Sequence, residues 1–328
     1  MKFILQNNSR RTRMLFANGR ALPLPIFFPS ISSVKTNLAP HQYVEFLTSL
    51  GQPNFLVSAY DIHHSKKKIE ILSKLKDSRS KAKTTILLDS GNYESFWLRD
   101  DEWGEHTFHD VLKNNIADYN FIYDNQSPPP DISKNSEGIV ASAMRCSEQS
   151  NSSTAIPIIH CHKSSLTKTV LNVISKSNFP MIGIPERILG EGLIARIATL
   201  TELRRSINAN HDAYVLIHLL GTGNPISLLL FSLAGADSFD GLEWCQTAVN
   251  IENKLLYHFQ QRELIKDGCV FCVDKEVEYH AATLGHNLLF YNSWMKQIQE
   301  SIGNETYKDL LGTLLSKDVI SELEKIWK

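Results

Sequence analysis

The sequence predicts a (β/α)8 TIM barrel with a helical appendage at its C-terminal end. Three observations carry that expectation. Short apolar runs alternate with helical stretches eight times along the chain, which is the order such a barrel requires. The 328 residues suffice for one large α/β barrel, and no linker divides them. The stretch 214–246 shows the unit most plainly, as an apolar run, a glycine loop, an apolar helix and a second short run. A doubly wound open sheet is the alternative topology for the same alternation.

Taken in order, a turn-rich leader at 1–25 holds Gly19, Pro23 and Pro25. The first run, 26–29, precedes a helical stretch at 41–50 whose Leu47 and Leu50 sit among polar residues. The second run, 55–58, leads into a basic helical stretch from 66 to about 81. The remaining runs are 85–89, 121–124, 155–160, 181–184, 214–220 and 238–242. A long helix at 188–207 follows the sixth run, and an apolar helix at 226–234 follows the seventh. Residues 125–137, NQSPPPDISKNSE, read as an irregular insertion because proline and serine dominate them. The charged segment 99–106 reads as a loop cap. Beyond the eighth run, 250–328 reads as the last barrel helix plus a mostly helical appendage, all within a single domain, 1–328. No segment of 20 to 50 residues repeats.

Composition narrows the class. An apolar share of 42% and a charged share of 21% are those of a globular protein. No window approaches the roughly 18 apolar residues of a membrane span, and the apolar patch at the start is short for a signal peptide. Five scattered cysteines do not make a disulfide framework, so a reducing cytoplasm is expected. With a net charge of −1, any nucleic-acid surface has to be a local basic patch.

In a barrel the reacting groups sit at the C-terminal ends of the strands. The last polar residues of the runs are Asp89, Asp124, His160, then His218 or the Gly221 loop, and finally Asp240. Asp240 stands among apolar neighbours in Phe239-Asp240-Gly241-Leu242, where a carboxylate is costly to bury without partners or work. Three acids converging on one mouth suit a nucleophile together with a general acid/base. Each has a plainer reading as well. Asp89 before Ser90-Gly91-Asn92 is also a cap, Asp124 before Asn125 a turn former, and Asp240-Gly241 a turn dipeptide. His160, Cys161 and His162 are not expected to share a metal, because successive side chains on a strand alternate.

LLDSGNYE at 87–94, HLLGTGNP at 218–225 and SFDGLEW at 238–244 resemble three signatures of the tRNA-guanine transglycosylase superfamily. Weaker matches are FFPSISSVKT at 27–36, LVSAYDIHH at 56–64, IYDNQSP at 122–128 and MIGIPERILGEG at 181–192. HNLLFYNSWMKQI at 286–298 is similar to the helix after the family's zinc site. Together they keep the family's order over nearly the whole chain.

The resemblance implies a pentosyltransferase that exchanges a base on a zinc-bearing barrel. An aspartate attacks C1′ of a guanosine, guanine leaves, and a 7-deazaguanine takes its place with retention. On that resemblance Asp240 is the nucleophile and Asp89 the general acid/base. Asp124 reads the Watson–Crick edge, Tyr93 stacks on the base, and Gly183 lends it backbone groups. Ser90 and His160 belong to the substrate pocket, with Gly221-Thr222-Gly223 as its floor.

Departures from the family pattern bear on substrate and metal. His160 stands in place of a glutamine, and Asn92 and Tyr93 in place of glycine and phenylalanine. Trp244-Cys245-Gln246 replaces Pro-Thr-Arg and so removes an arginine of the tRNA enzymes. The CxCxxC of the zinc site is reduced to Cys269 and Cys272, with His286 as its histidine. That set is one ligand short of a tetrahedral zinc site, and Asp267, Cys245, His258 and His280 are candidates for the fourth. Without metal, the same residues read as two buried cysteines beside a core histidine.

These departures are similar to the divergent branch of the family that inserts 7-deazaguanines into DNA. DNA is therefore the expected partner and tRNA the alternative, with a targeting protein and a second copy of the chain as further partners. Lys66, Lys67, Lys68, Lys74, Lys76, Arg79, Lys81 and Lys83 could track a phosphate backbone, or simply form a solvated helix face. Arg10, Arg11 and Arg13 form a second basic group. A silent binding subunit and an unrelated barrel hydrolase are the competing functions, and the three carboxylates argue against the first.

Overall fold

A computed structural model describes residues 14–17, 19–150, 153–265 and 268–327. A hairpin, β1 (Met14–Ala17) and β2 (Arg20–Pro23), precedes the barrel. The barrel strands are β3 (Ile26–Ile31), β4 (Asn54–Ser58), β5 (Thr85–Asp89) and β6 (Tyr119–Phe121), followed by β7 (Thr154–Ile156), β8 (Met181–Pro185), β9 (Leu216–Leu220) and β10 (Ser238–Gly241). They pair in parallel in the order β7-β6-β5-β4-β3-β10-β9-β8. The two ends meet where Ile158 bridges Gly183. There the Gly183 N–H donates to the Pro157 carbonyl and the Gly183 carbonyl accepts from the Ile159 N–H, both at 2.8 Å. This closure makes a (β/α)8 barrel and excludes the open doubly wound sheet.

The apolar runs become strands because both faces are covered. β3 and β4 are buried at every position, the pattern of a parallel strand with helices outside and a packed barrel within. The outer helices are α1 (Pro40–Ser49), α2 (Ala59–His64), α3 (Lys68–Lys81), α4 (Asn92–Leu98) and α5 (Glu105–Leu112), then α6 (Ile132–Gln149), α7 (Leu166–Lys176), α8 (Leu193–Asn210) and α9 (Pro225–Ala234). None of the helices among the described residues is long and apolar enough to cross a membrane.

Five sequence expectations need correction. The run 121–124 is a strand only at its start, since β6 ends at Phe121. The run 155–160 pairs regularly only to Ile156, because Pro157 has no N–H to continue the ladder. The helix expected at 188–207 begins at Leu193. Gly190 and Gly192, with φ of 122° and 77°, break the chain into a short 3-10 turn (Glu186–Leu189) before it. The insertion expected over 125–137 stops at Asp131, whose carboxylate accepts the Lys134 N–H at 2.8 Å and so caps α6. Likewise the segment 99–106 is loop only to Gly104, after which α5 starts.

The leader also has structure where it is described. The hairpin β1–β2 lies under the base of the barrel, where Tyr119 donates to the Phe16 carbonyl at 2.6 Å. The last part of the chain holds α10 (Glu243–Gln246), the antiparallel pair β11 (Thr247–Val249) and β12 (Leu256–His258), and α11 (Val270–Val273). It ends in α12 (Tyr279–Gly303), α13 (Tyr307–Leu314) and α14 (Lys317–Trp327). The 25-residue α12 packs directly behind the loop after β9. Tyr291 donates to the Gly223 carbonyl at 2.7 Å and Trp294 to the Pro225 carbonyl at 2.9 Å.

Half of the basic residues of the stretch are paired with acids. α3 runs from the mouth, after α2, down to the start of β5 at the base. Along it Lys67 pairs with Glu70, Lys74 with Glu45, Arg79 with Asp118 and Lys81 with Asp77. Only Lys66, Lys67 and Lys68 stand at the level of the mouth, so the stretch does not form one track across it. Arg10, Arg11 and Arg13 lie outside the described residues.

Candidate active site

The C-terminal ends of the strands open into a cavity of about 950 Å³. Asp89, Ser90, Tyr93, Asp124, His160, Gly221 and Asp240 all line it, so most of the residues singled out in the sequence meet there. Gly183 does not line it, because its N–H and carbonyl are both spent on closing the barrel between Pro157 and Ile159.

Asp240 is held by donors on two strands and on the loop after β9. Its Oδ2 accepts from Ser30 Oγ on β3 at 2.8 Å. Its Oδ1 accepts from the Gly221 N–H at 3.2 Å and from His218 Nε2 at 3.0 Å. A carboxylate can only accept, so His218 carries its proton on Nε2 and takes the Ser238 hydroxyl, 2.7 Å away, at Nδ1. These bonds fix the Asp240 carboxylate while leaving 8% of the residue exposed to the cavity.

Asp89 is placed differently. Its side chain accepts only from the Gly91 N–H, at 3.2 Å, among the bonds described. Burial pushes its carboxyl well above the usual carboxylate range, and the nearby Glu94, Asp124 and Asp240 push it further. Asp89, raised by burial and by its acidic neighbours, therefore faces a hydrogen-bonded carboxylate across one cavity.

Behind Asp89 lies Glu94, on α4, only 3% exposed. Ser32 Oγ donates to it at 2.5 Å and Ser58 Oγ at 2.9 Å. Burial and then the Asp61 charge raise it to about 7. Asp61 is itself raised to about 6 by burial, against the Ser33 N–H that donates to it at 2.8 Å. Glu243, on α10, fills the space that a Cβ would need at both Gly223 and Gly241. Burial raises it to about 7, although the Gly223 N–H donates to it at 3.2 Å.

Asp124 has every lone-pair direction engaged. Oδ1 accepts from Ser90 Oγ at 3.1 Å and Asn92 Nδ2 at 2.7 Å, while Oδ2 faces His160 Nε2 at 2.6 Å and the amide of Gln126. The Gln126 carbonyl in turn accepts from Arg187 Nη2 at 2.8 Å. Next to this group, Glu186 pairs with Arg196 at 2.6 Å and accepts from Thr222 at 2.9 Å. At the rim Tyr93, Phe96 and Trp97 are exposed, and Lys35 Nζ lies 3.5 Å over the Trp97 ring.

Sequence reasoning did not single out Ser30, Glu94, Gln126, Arg187 or Glu243. Glu94 lies on a helix, so a search for strand-end residues passes over it. The glycines at 223 and 241 are the signal for Glu243, since each leaves room for its carboxylate.

A second group lies at the N-terminal part of α12, beside β11. Cys269, Cys272 and His286 bring their ligand atoms within 4.8 Å of one another, and this group could bind a metal. His286 Nε2 donates to the Val249 carbonyl at 2.7 Å, which leaves Nδ1 facing Cys272 Sγ at 3.5 Å. An imidazole oriented by a backbone carbonyl beside two thiols is a fitting donor set for a thiophilic divalent ion. Of the candidates for a fourth ligand, Cys245, His258 and His280 stand outside this group, and Asp267 lies outside the described residues. Cys245 is buried against the Leu242 carbonyl, and burial pushes its thiol strongly upward. His160, Cys161 and His162 form no such group among the described residues.

No protein-family model matches the chain, and no curated protein matches it.

Proposed function

We propose that this chain is a guanine transglycosylase that replaces guanine in DNA with a 7-deazaguanine base. The observation that carries the reading is the unequal pair of acids on β5 and β10 of one mouth, Asp89 with its proton affinity raised by burial and Asp240 held by hydrogen bonds.

In this mechanism an Asp240 oxygen attacks C1′ and forms an ester as the bond from C1′ to guanine N9 breaks. Asp89 gives its proton to the leaving guanine. The ionised Asp89 then takes the N9 proton of the incoming base, N9 attacks C1′, and the Asp240 ester opens. Two inversions give retention, and the proton lost in the first half is recovered in the second. The target nucleotide has to leave its stack to reach Asp240, and Tyr93 at the rim offers its ring a surface.

Cys269, Cys272 and His286 are assigned in this reading to zinc, which would tie α11 to α12 as a structural ion. The test is incorporation of a labelled 7-deazaguanine by purified protein into plasmid DNA and bulk tRNA, side by side, with Asp240→Ala as the control. Label in DNA that Asp240→Ala abolishes supports the proposal. Label in tRNA alone reassigns the substrate. Label in neither, or label that survives Asp240→Ala, overturns the mechanism.

A further inference from the structure

We infer that Arg187 recognises the six-oxo group of the purine, and that the Gln126 amide is an internal stand-in for the edge of that base. The inference rests on the base-exchange reading and names how its site selects a base. Gln126 bridges two polar groups at the mouth. Its amide nitrogen donates to Asp124 Oδ2, and its carbonyl accepts from Arg187 Nη2 at 2.8 Å. A donor N–H beside an acceptor C=O is also the pattern of the N1–H and C6=O of a guanine or 7-deazaguanine. Adenine presents the reverse, an acceptor N1 beside a donor amine, and would set N1 against the Asp124 carboxylate and an amine against a guanidinium.

Three further observations support the assignment. Gln126 and Arg187 line the same cavity as Asp89 and Asp240, and Gln126 is bonded to Asp124 within it. Both are exposed, and Gln126 lies in the loop between β6 and α6, where its side chain can turn outward without breaking packing. Gly183, the backbone donor that the resemblance suggests for the base, is consumed in the barrel. The carbonyl of a bound purine therefore needs another donor, and the Arg187 guanidinium stands on the loop directly after β8. A guanidinium offers a charge-assisted bond there, and removing it leaves a buried ligand carbonyl without a partner. Gln126 keeps Asp124 and Arg187 satisfied until a base with the same edge displaces it.

Calorimetric titration of the full chain with free 7-deazaguanine, hypoxanthine and adenine tests this. Wild type should bind the two six-oxopurines and reject adenine. Arg187→Met should weaken both six-oxopurines about 10-fold or more and narrow their lead over adenine. Gln126→Ala should tighten them about two- to five-fold, because a competitor for the same contacts is gone. Both positions are exposed, so the fold should be kept, and circular dichroism checks that. A preference unchanged in Arg187→Met, or weaker binding in Gln126→Ala, overturns the inference while leaving base exchange standing. Failure of wild type to bind any of the three bases removes both.

Discussion

At the scale of single residues, the mouth is governed by an excess of buried acid. Asp61, Asp89, Glu94 and Glu243 are all raised, each first by burial, and among the described residues no lysine, arginine or histidine pairs with Glu94. The consequence for stability has a definite sign. In the unfolded chain Glu94 ionises near its ordinary value of 4.5, and in the fold near 7. Between those values folding takes up a proton. The contribution of Glu94 is therefore complete below about 4.5 and is lost as pH rises through 7. Glu94→Gln keeps the shape and the serine partners without the charge, so it should be more stable than the parent at pH 8 by up to about 3 kcal/mol. At pH 5 the gap should nearly close. Thermal melts at the two pH values measure it, and an equal gap at both would show that Glu94 ionises as easily inside the fold as outside. The acids at the ends of β5 and β10 were legible in the sequence, because a barrel sends the last residues of all its strands to one mouth. Glu94 and Asp61 were not, since their inward direction is set by where α4 and α2 pack.

At the scale of elements, the barrel repeats one brace. Asp118, just before β6, accepts the Ile86 N–H of β5 at 2.9 Å and pairs with Arg79 of α3 at 2.9 Å. Asp237, just before β10, accepts the Ile217 N–H of β9 at 2.9 Å and pairs with Arg204 of α8 at 2.7 Å. The two braces stand four strands apart, so each half of the barrel locks a strand, the next strand and the helix that precedes the first of them at the base. This half-barrel symmetry left no trace in the sequence, because single aspartates and arginines carry it and no stretch of chain repeats. The strands themselves were legible where both faces are buried, as in β5, whose bounds coincide with the apolar run. They were misjudged at β6 and β7. There the residues beyond the regular strands, Ile122 and Ile158, are also buried and still make isolated pairing contacts, so an apolar run outlasts the continuous ladder. Arg204→Met should destabilise the fold by about 3–5 kcal/mol in urea unfolding, because Asp237 is fully buried and loses its charge partner. Tyr291→Phe should cost about 1–3 kcal/mol by leaving the Gly223 carbonyl unpaired, and it should slow exchange as well, because that loop sits against Asp240.

At the scale of the whole molecule, the C-terminal segment works as a buttress. α12 reaches the site loop through Tyr291 and Trp294, and it holds β11 and α10 through Asn287. The Asn287 side chain donates to the carbonyls of Trp244 and Thr247, both at 2.7 Å, and accepts the Val249 N–H at 3.1 Å. His286 is the next residue, and its bond to the Val249 carbonyl places the metal-ligating group on the same seam. An ion held by Cys269, Cys272 and His286 would therefore join α11 to the helix that supports Asp240 from behind. Because a metal that binds only the folded chain stabilises it by mass action, the effect should extend beyond the ligands themselves. Purified protein should carry close to one zinc ion per chain by elemental analysis. Removing it with a chelator should lower the melting temperature by about 4 °C or more, and Cys272→Ser should reproduce that loss without a chelator. Restored zinc should recover the wild type and leave Cys272→Ser unchanged. The barrel strands do not touch the ion, so far-ultraviolet circular dichroism should keep its shape at room temperature while base exchange falls. Protein that contains no zinc when purified from zinc-supplemented cells, and melts at the same temperature with and without chelator, would reduce the group to two thiols packed beside a core histidine.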